Sequence, residues 1–157
     1  MDKFNYFSGI SLAYSVVTQY YPVNYANPYF DHFVFQPMLG DGHKADDDFT
    51  LAAYAVDADG TVLNNQGMLD TNPLPGHKVQ VTKKCIQFAN LHLDLTALGQ
   101  LYKPGSPPSE LRIYPSGVYY SNPNGKETDY MLYTAETGDE VDPDVVVKTP
   151  INPSPPY

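Results

Sequence analysis

His92 and Asp94 are the sharpest pair of chemistry-bearing residues in the chain. They stand two apart in Leu91-His92-Leu93-Asp94-Leu95. In a strand both would project from the face opposite the three leucines. A His-x-Asp on one strand face is a starting point for an acid–base pair or for half of a metal site. A second strand must then supply a further His or carboxylate, and no spacing rule identifies it. Asn90 joins the same face if a bulge precedes it. The plainer expectation is the polar outer face of an amphipathic strand, the default for antiparallel sheets.

A second group is the acidic loop with Asp41, His43, Asp46, Asp47 and Asp48, which Asp31 and His32 of the neighbouring strand could join. Clustered carboxylates suit calcium, a hard cation that prefers oxygen ligands. The spacing matches no loop template. Asp57-x-Asp59 also departs from the EF-hand pattern, with Val62 where the turn glycine belongs and Met68 where the bidentate Glu belongs. A solvated acidic loop is the simpler expectation.

Nucleophile chemistry is thinly supported. Cys85 follows Lys83 and Lys84, which favour a thiolate, but it lies in a strand pattern and no His is near it in sequence. We expect a structural thiol. There is no Gly-x-Ser-x-Gly elbow, no phosphate-cradling glycine loop and no His-Glu-x-x-His.

The stretch from Tyr20 to Phe35 has the most unusual composition. Tyr20, Tyr21, Tyr25, Tyr29 and Phe30 crowd together with two prolines. Tyrosine joins a rigid apolar body to a polar tip and is favoured at wet interfaces. These rings, with Tyr157 at the end of the Pro-rich tail, are candidates for a ligand groove or a subunit contact. The alternative is a loop whose rings form satellite core.

The 157 residues suit one domain with an adequate core. Proline is 15 of 157, against an average of about 5%. Tyr is 14, Phe is 7 and Trp is absent. No window supplies a long helix, so the chain reads as all-β with Pro-rich connections. Phe49–Val56 is β-prone and ends at Asp57-Ala58-Asp59-Gly60, where Thr61-Val62-Leu63 turns back. That pattern predicts a hairpin, and the scarcity of polar residues on either face of its first strand predicts a central strand buried on both sides.

Ser11–Thr18 reads as a strand with Leu12, Tyr14 and Val16 on one face. Phe33 and Phe35 share a face, with His32 on the other. Residues 64–78 read as a loop. The parity of apolar residues slips between Phe88 and Leu91, which predicts a bulge near Ala89-Asn90. Thr96 to Leu101 allows one helical turn. Strands at 110–114 and 117–120 are broken by Pro115-Ser116, and 128–135 pairs with 144–148 in a last hairpin. The tail from Thr149 reads as polyproline-like.

The net charge is −9, and Arg112 is the lone arginine. Phosphate binding needs Lys and Arg, so nucleic acid is not expected as a partner. A single cysteine excludes an intrachain disulfide. No run of about 18 apolar residues predicts a membrane span, and Met1-Asp2-Lys3-Phe4 does not read as a signal peptide, so a cytoplasmic protein is expected.

The closing Tyr130-Met131-Leu132-Tyr133, a turn, and Asp142-Pro143-Asp144-Val145-Val146-Val147 resemble the end of small bacterial β-sandwich proteins of the inclusion-body type. The resemblance covers that stretch alone, and no functional residue is carried across it.

The expectation is an antiparallel β-sandwich, jelly-roll or Ig-like, with a small β-barrel as the alternative. One domain would span residues 1–148, followed by a Pro-rich arm at 149–157. The leading function is a non-enzymatic protein that forms a homo-oligomer or binds a protein partner through its aromatic segments and terminal arms. A small-ligand binder comes second, either a carbohydrate-binding, lectin-like module with calcium in the acidic loop or a barrel holding an apolar ligand. A small-barrel enzyme with His92 and Asp94 as acid–base pair comes third.

Overall fold

Phe49–Val56 lies inside the sheet, flanked on both edges by other strands. A computed structural model describes residues 6–21, 29–39, 49–63, 67–81, 90–102, 109–121, 129–137 and 147–151. Its elements in order are β1 (Tyr6–Leu12), α1 (Tyr14–Tyr20), β2 (His32–Leu39), β3 (Phe49–Val56), β4 (Asn72–Gln80), β5 (Leu91–Asp94), α2 (Leu95–Leu101), β6 (Leu111–Ser121), β7 (Asp129–Thr137) and β8 (Val147–Ile151).

The strands join one eight-stranded sheet in the order β5-β2-β3-β1-β6-β7-β8, with β4 on β1. The sheet curls into a half-barrel, so that its two ends, β5 and β8, approach one another beside α2. The all-β character predicted from composition is present. The sandwich is not: among the described residues there is one curled sheet, not two packed ones. Nor is the sheet purely antiparallel, since β1 and β3 run parallel at Phe7 and Phe49.

The core fills the concave side. Phe33 and Phe35 of β2, Leu91 and Leu93 of β5, and Leu111 and Ile113 of β6 are fully buried. Val17 of α1 and Leu98 and Leu101 of α2 close the open side of the curl. Burying each such side chain contributes about 1.5–3 kcal/mol, which stabilises helices too short to stand alone.

Ser11–Thr18 was expected as a strand, but the strand ends at Leu12 and α1 begins at Tyr14. Tyr14, Val17 and Tyr21 also recur at helical spacing, so the local pattern fits both periods. Tertiary burial of Val17 decides for the helix, and Thr18 Oγ1 donates to Tyr14 O at 3.0 Å.

Composition alone reads residues 64–78 as a loop, yet β4 begins at Asn72 and passes through two prolines. Ile10 pairs with both Pro73 and Ile113, and Phe7 pairs with both Phe49 and Val79. A strand has two hydrogen-bonding edges, and β3 and β6 flank β1 on opposite sides. Strand β4 therefore lies on the β3 side at Pro73 and on the β6 side at Val79. It changes edge where the register shifts between Ser8 and Gly9. Prolines are tolerated because such an irregular strand does not need every N–H. The His77 ring stacks on Tyr114 of β6 at 4.3 Å, on the side that this change of edge requires.

Strand β6 runs through Pro115 instead of stopping there. A register shift between Pro115 and Tyr119 absorbs the interruption, with Gly117 at φ +86°. Strand β8 includes Pro150 and Ile151, so pairing continues into the segment read as a Pro-rich arm. At the edge of the sheet a proline costs no ladder bond on its solvent side.

The β3 hairpin forms as its turn chemistry predicts. Asp57 Oδ1 accepts from Asp59 N and Thr61 N at 2.9 Å, and Gly60 takes φ +84°. Val56 and Val62 bridge behind the turn.

Candidate functional site

The convex face of β5, β2 and β3 carries the one cluster of histidines among the described residues. Strand alternation puts it there. With Phe33 and Phe35 turned into the core, His32, Val34 and Gln36 must face outward. Leu91 and Leu93 likewise turn His92 and Asp94 outward, and Ala53 and Ala55 turn Tyr54 and Val56 outward. The ladder sets Val34 against both His92 and Tyr54, and His32 against both Asp94 and Val56.

His92 thus lies diagonal to His32, and their rings sit 4.9 Å apart at 45°. They line an open cleft of about 450 Å³. Val34, Tyr54 and Val56 form its floor, and Gln36 and Asn90 border it. The hairpin tip at Ala58, Asp59 and Gly60, with Val62, makes one wall. The tight turn at Asp57–Gly60 is therefore also what shapes the cleft.

Asp31 Oδ2 lies 2.7 Å from His32 Nδ1. A carboxylate can only accept, so the proton sits on Nδ1, and in the neutral ring Nε2 is left as the acceptor. Burial, and secondly the nearby His32, lower the pKa of His92 below its ordinary 6.5. The His92 ring, held below its ordinary value, therefore offers an imidazole nitrogen that accepts a proton or ligates a metal.

Asp94 shares the outward face with His92 but has a different task. It is the N-cap of α2, and its Oδ1 accepts from Ala97 N at 2.9 Å. Its carboxylate is absent from the lining of the cleft. The partner brought to His92 within the cleft is His32. This is the second strand that the His-x-Asp pattern called for. The outward alternation His32-x-Val34-x-Gln36 is the signal that could have found it.

The aromatic candidates divide. Phe30 is buried and packs on Phe33 with centroids 4.8 Å apart. Tyr21 stacks on Phe30 at 6.5 Å and meets Tyr102 edge-on, and Tyr20 meets Phe33 edge-on. These three form satellite core around α1. Tyr29 is 73% exposed. Tyr25, Tyr157, Cys85 and the acidic loop with Asp41, His43, Asp46, Asp47 and Asp48 lie outside the described residues, as does the slip of parity before Asn90. Among the described residues no three His, Cys, Asp or Glu side chains converge as a metal-ligand group. No helix among them is long and apolar enough to cross a membrane.

Compared with protein-family models, curated proteins and solved structures, the chain shows no match.

Proposed function

We propose that the protein is a binding module that takes a small polar ligand of the carbohydrate type in the cleft between His32, Tyr54 and His92. The observation that carries this is the mixed lining of the cleft. The apolar side chains of Val34, Val56 and Val62 around the Tyr54 ring suit the C–H face of a sugar. Gln36, Asn90, Asp59 and the two imidazoles supply donors and acceptors for hydroxyls. The outward position on a rigid sheet keeps these groups organised before binding, which limits the entropy cost of association.

The test is a titration of the full chain, in the presence of a chelator, with a panel of mono- and oligosaccharides followed by NMR. The expected result is that shift changes for at least one sugar centre on residues 34, 54 and 92, and that Tyr54→Ala abolishes them. Absence of any shift change at millimolar sugar, or changes that persist in Tyr54→Ala, would overturn the reading.

Self-assembly is the second reading, and the exposure of Tyr29 favours it. Particle mass by light scattering at two concentrations tests it, with a constant monomer mass as the adverse result.

A further inference from the structure

We propose that His32 and His92 together hold a divalent transition cation of borderline softness, such as Zn²⁺ or Ni²⁺, at the mouth of the cleft. The inference does not depend on the carbohydrate reading, since it uses only the two imidazoles and the groups that orient them.

The first support is distance. A cation about 2.0–2.1 Å from an imidazole nitrogen, on its lone-pair axis, lies roughly 3.2 Å from the ring centroid. Two centroids 4.9 Å apart then subtend about 100° at that cation, between the octahedral and the tetrahedral angle. Rings much closer would leave no room for the ion, and rings much farther apart could not share it.

The second support is the carboxylate behind one ring. Asp31 Oδ2 at 2.7 Å from His32 Nδ1 fixes the ring and reserves Nε2 for a ligand. Metal-bound histidines almost always carry such an outer partner, which raises their basicity. Both histidines stand on neighbouring strands, β2 and β5, whose inward leucines and phenylalanines are fully buried. The backbone that carries the two ligands is therefore held by the core and does not have to be ordered by the ion.

The donor set selects the ion. Two imidazole nitrogens suit zinc, nickel or copper, whereas calcium and magnesium prefer oxygen. With two protein ligands among the described residues, the remaining positions are left to water or to an oxygen of a bound molecule. Asp59 and Asn90 line the same cleft.

The experiment is isothermal titration of the full, chelator-treated chain with Zn²⁺ and, separately, with Ca²⁺. Wild type, His32→Ala, His92→Ala, Asp31→Ala and His77→Gln are compared, and each fold is checked by circular dichroism. The expected result is one zinc site that weakens at least tenfold in either His32→Ala or His92→Ala. It should weaken about tenfold in Asp31→Ala, the usual effect of removing an outer partner, and be unchanged in His77→Gln. Zinc binding that survives both single histidine substitutions would overturn the proposal, as would no binding by wild type at millimolar zinc. A fall with His77→Gln equal to that with His92→Ala would also overturn it. The sugar titration is run without metal and the zinc titration without sugar, so either can fail alone.

Discussion

Arg112 Nε donates to Glu136 Oε2 at 2.9 Å across the β6–β7 ladder, and both side chains are buried, at 2% and 9% exposure. Glu110 accepts a second, longer bond from the same guanidinium at 3.3 Å. Burial alone would weaken the hold of Arg112 on its proton, but the two carboxylates outweigh it and raise its pKa. The lone arginine of the chain is thus spent on internal structure and is not available for recognising anions.

Glu136→Ala should strip the main counter-charge from a buried guanidinium. Breaking such a pair costs about 3–5 kcal/mol, a fall in Tm on the order of 10 °C for a chain of this size. Replacing both partners, as Arg112→Met with Glu136→Leu, should recover most of that loss, because no buried charge is left uncompensated. Thermal melts of the three variants decide it. A double variant no better than Glu136→Ala would contradict this account.

Asp94→Ala should remove the cap from α2 and cost about 1 kcal/mol. Asp94→Asn should cost much less, since its side-chain oxygen can still accept from Ala97 N. Neither should change zinc affinity, because the cap carboxylate is directed to the helix and not to the cleft. Denaturant melts beside zinc titrations separate the two roles. An equal loss of affinity in both variants would return Asp94 to the site.

Gly9→Ala tests the close approach of β1 to β6. A Cβ at residue 9 would lie 2.6 Å from Tyr114 Cβ and 2.7 Å from Ile113 O. The obstructing atoms are backbone or next to it, so neither can swing aside. The expected cost is about 1–3 kcal/mol or more, as for other overpacked sites. An alanine variant with unchanged Tm would mean that β1 and β6 are not so closely apposed.

Acidification should destabilise the metal-free protein through His92. Its pKa in the fold lies below the 6.5 of the unfolded chain, because of burial and then of His32. As pH falls through 6.5 the unfolded state therefore binds the proton first. The stability contribution is complete above 6.5 and is lost as pH drops through the folded value. Melts of wild type and His92→Gln between about pH 7.5 and 5.5 isolate it, since this is the window in which imidazoles titrate. The variant should show the shallower dependence, and parallel curves would refute the assignment.

Much of the candidate site was legible in the sequence because side-chain alternation is local. His-x-Asp between leucines, and His32 opposite Phe33 and Phe35, state which side of their strands the histidines take, whatever those strands pair with. The Asp57–Gly60 turn was legible for the same reason: its bonds close within a few residues. A helical turn at Thr96 to Leu101 was legible and is present as α2, but the cap role of Asp94 was not, since Asp94 also fits the outward face of the preceding strand and the burial of Leu98 and Leu101 decides where that strand ends.

By itself the sequence determined an all-β chain, the faces of β2 and β5, and the central hairpin; β3, expected to be buried on both faces, instead turns the half-buried Tyr54 to the cleft. The tertiary structure decided what those faces meet. Strand order, the parallel contact of β1 with β3, and the meeting of His32 with His92 depend on pairings between distant segments, which no two-residue period records. It also decided between helix and strand at Tyr14–Tyr20, where the residues fit both periods and only burial of Val17 separates them. The aromatic segment was resolved in the same way: Tyr20, Tyr21 and Phe30 are attractive contact residues by type, and the curl of the sheet gives their rings partners inside the molecule.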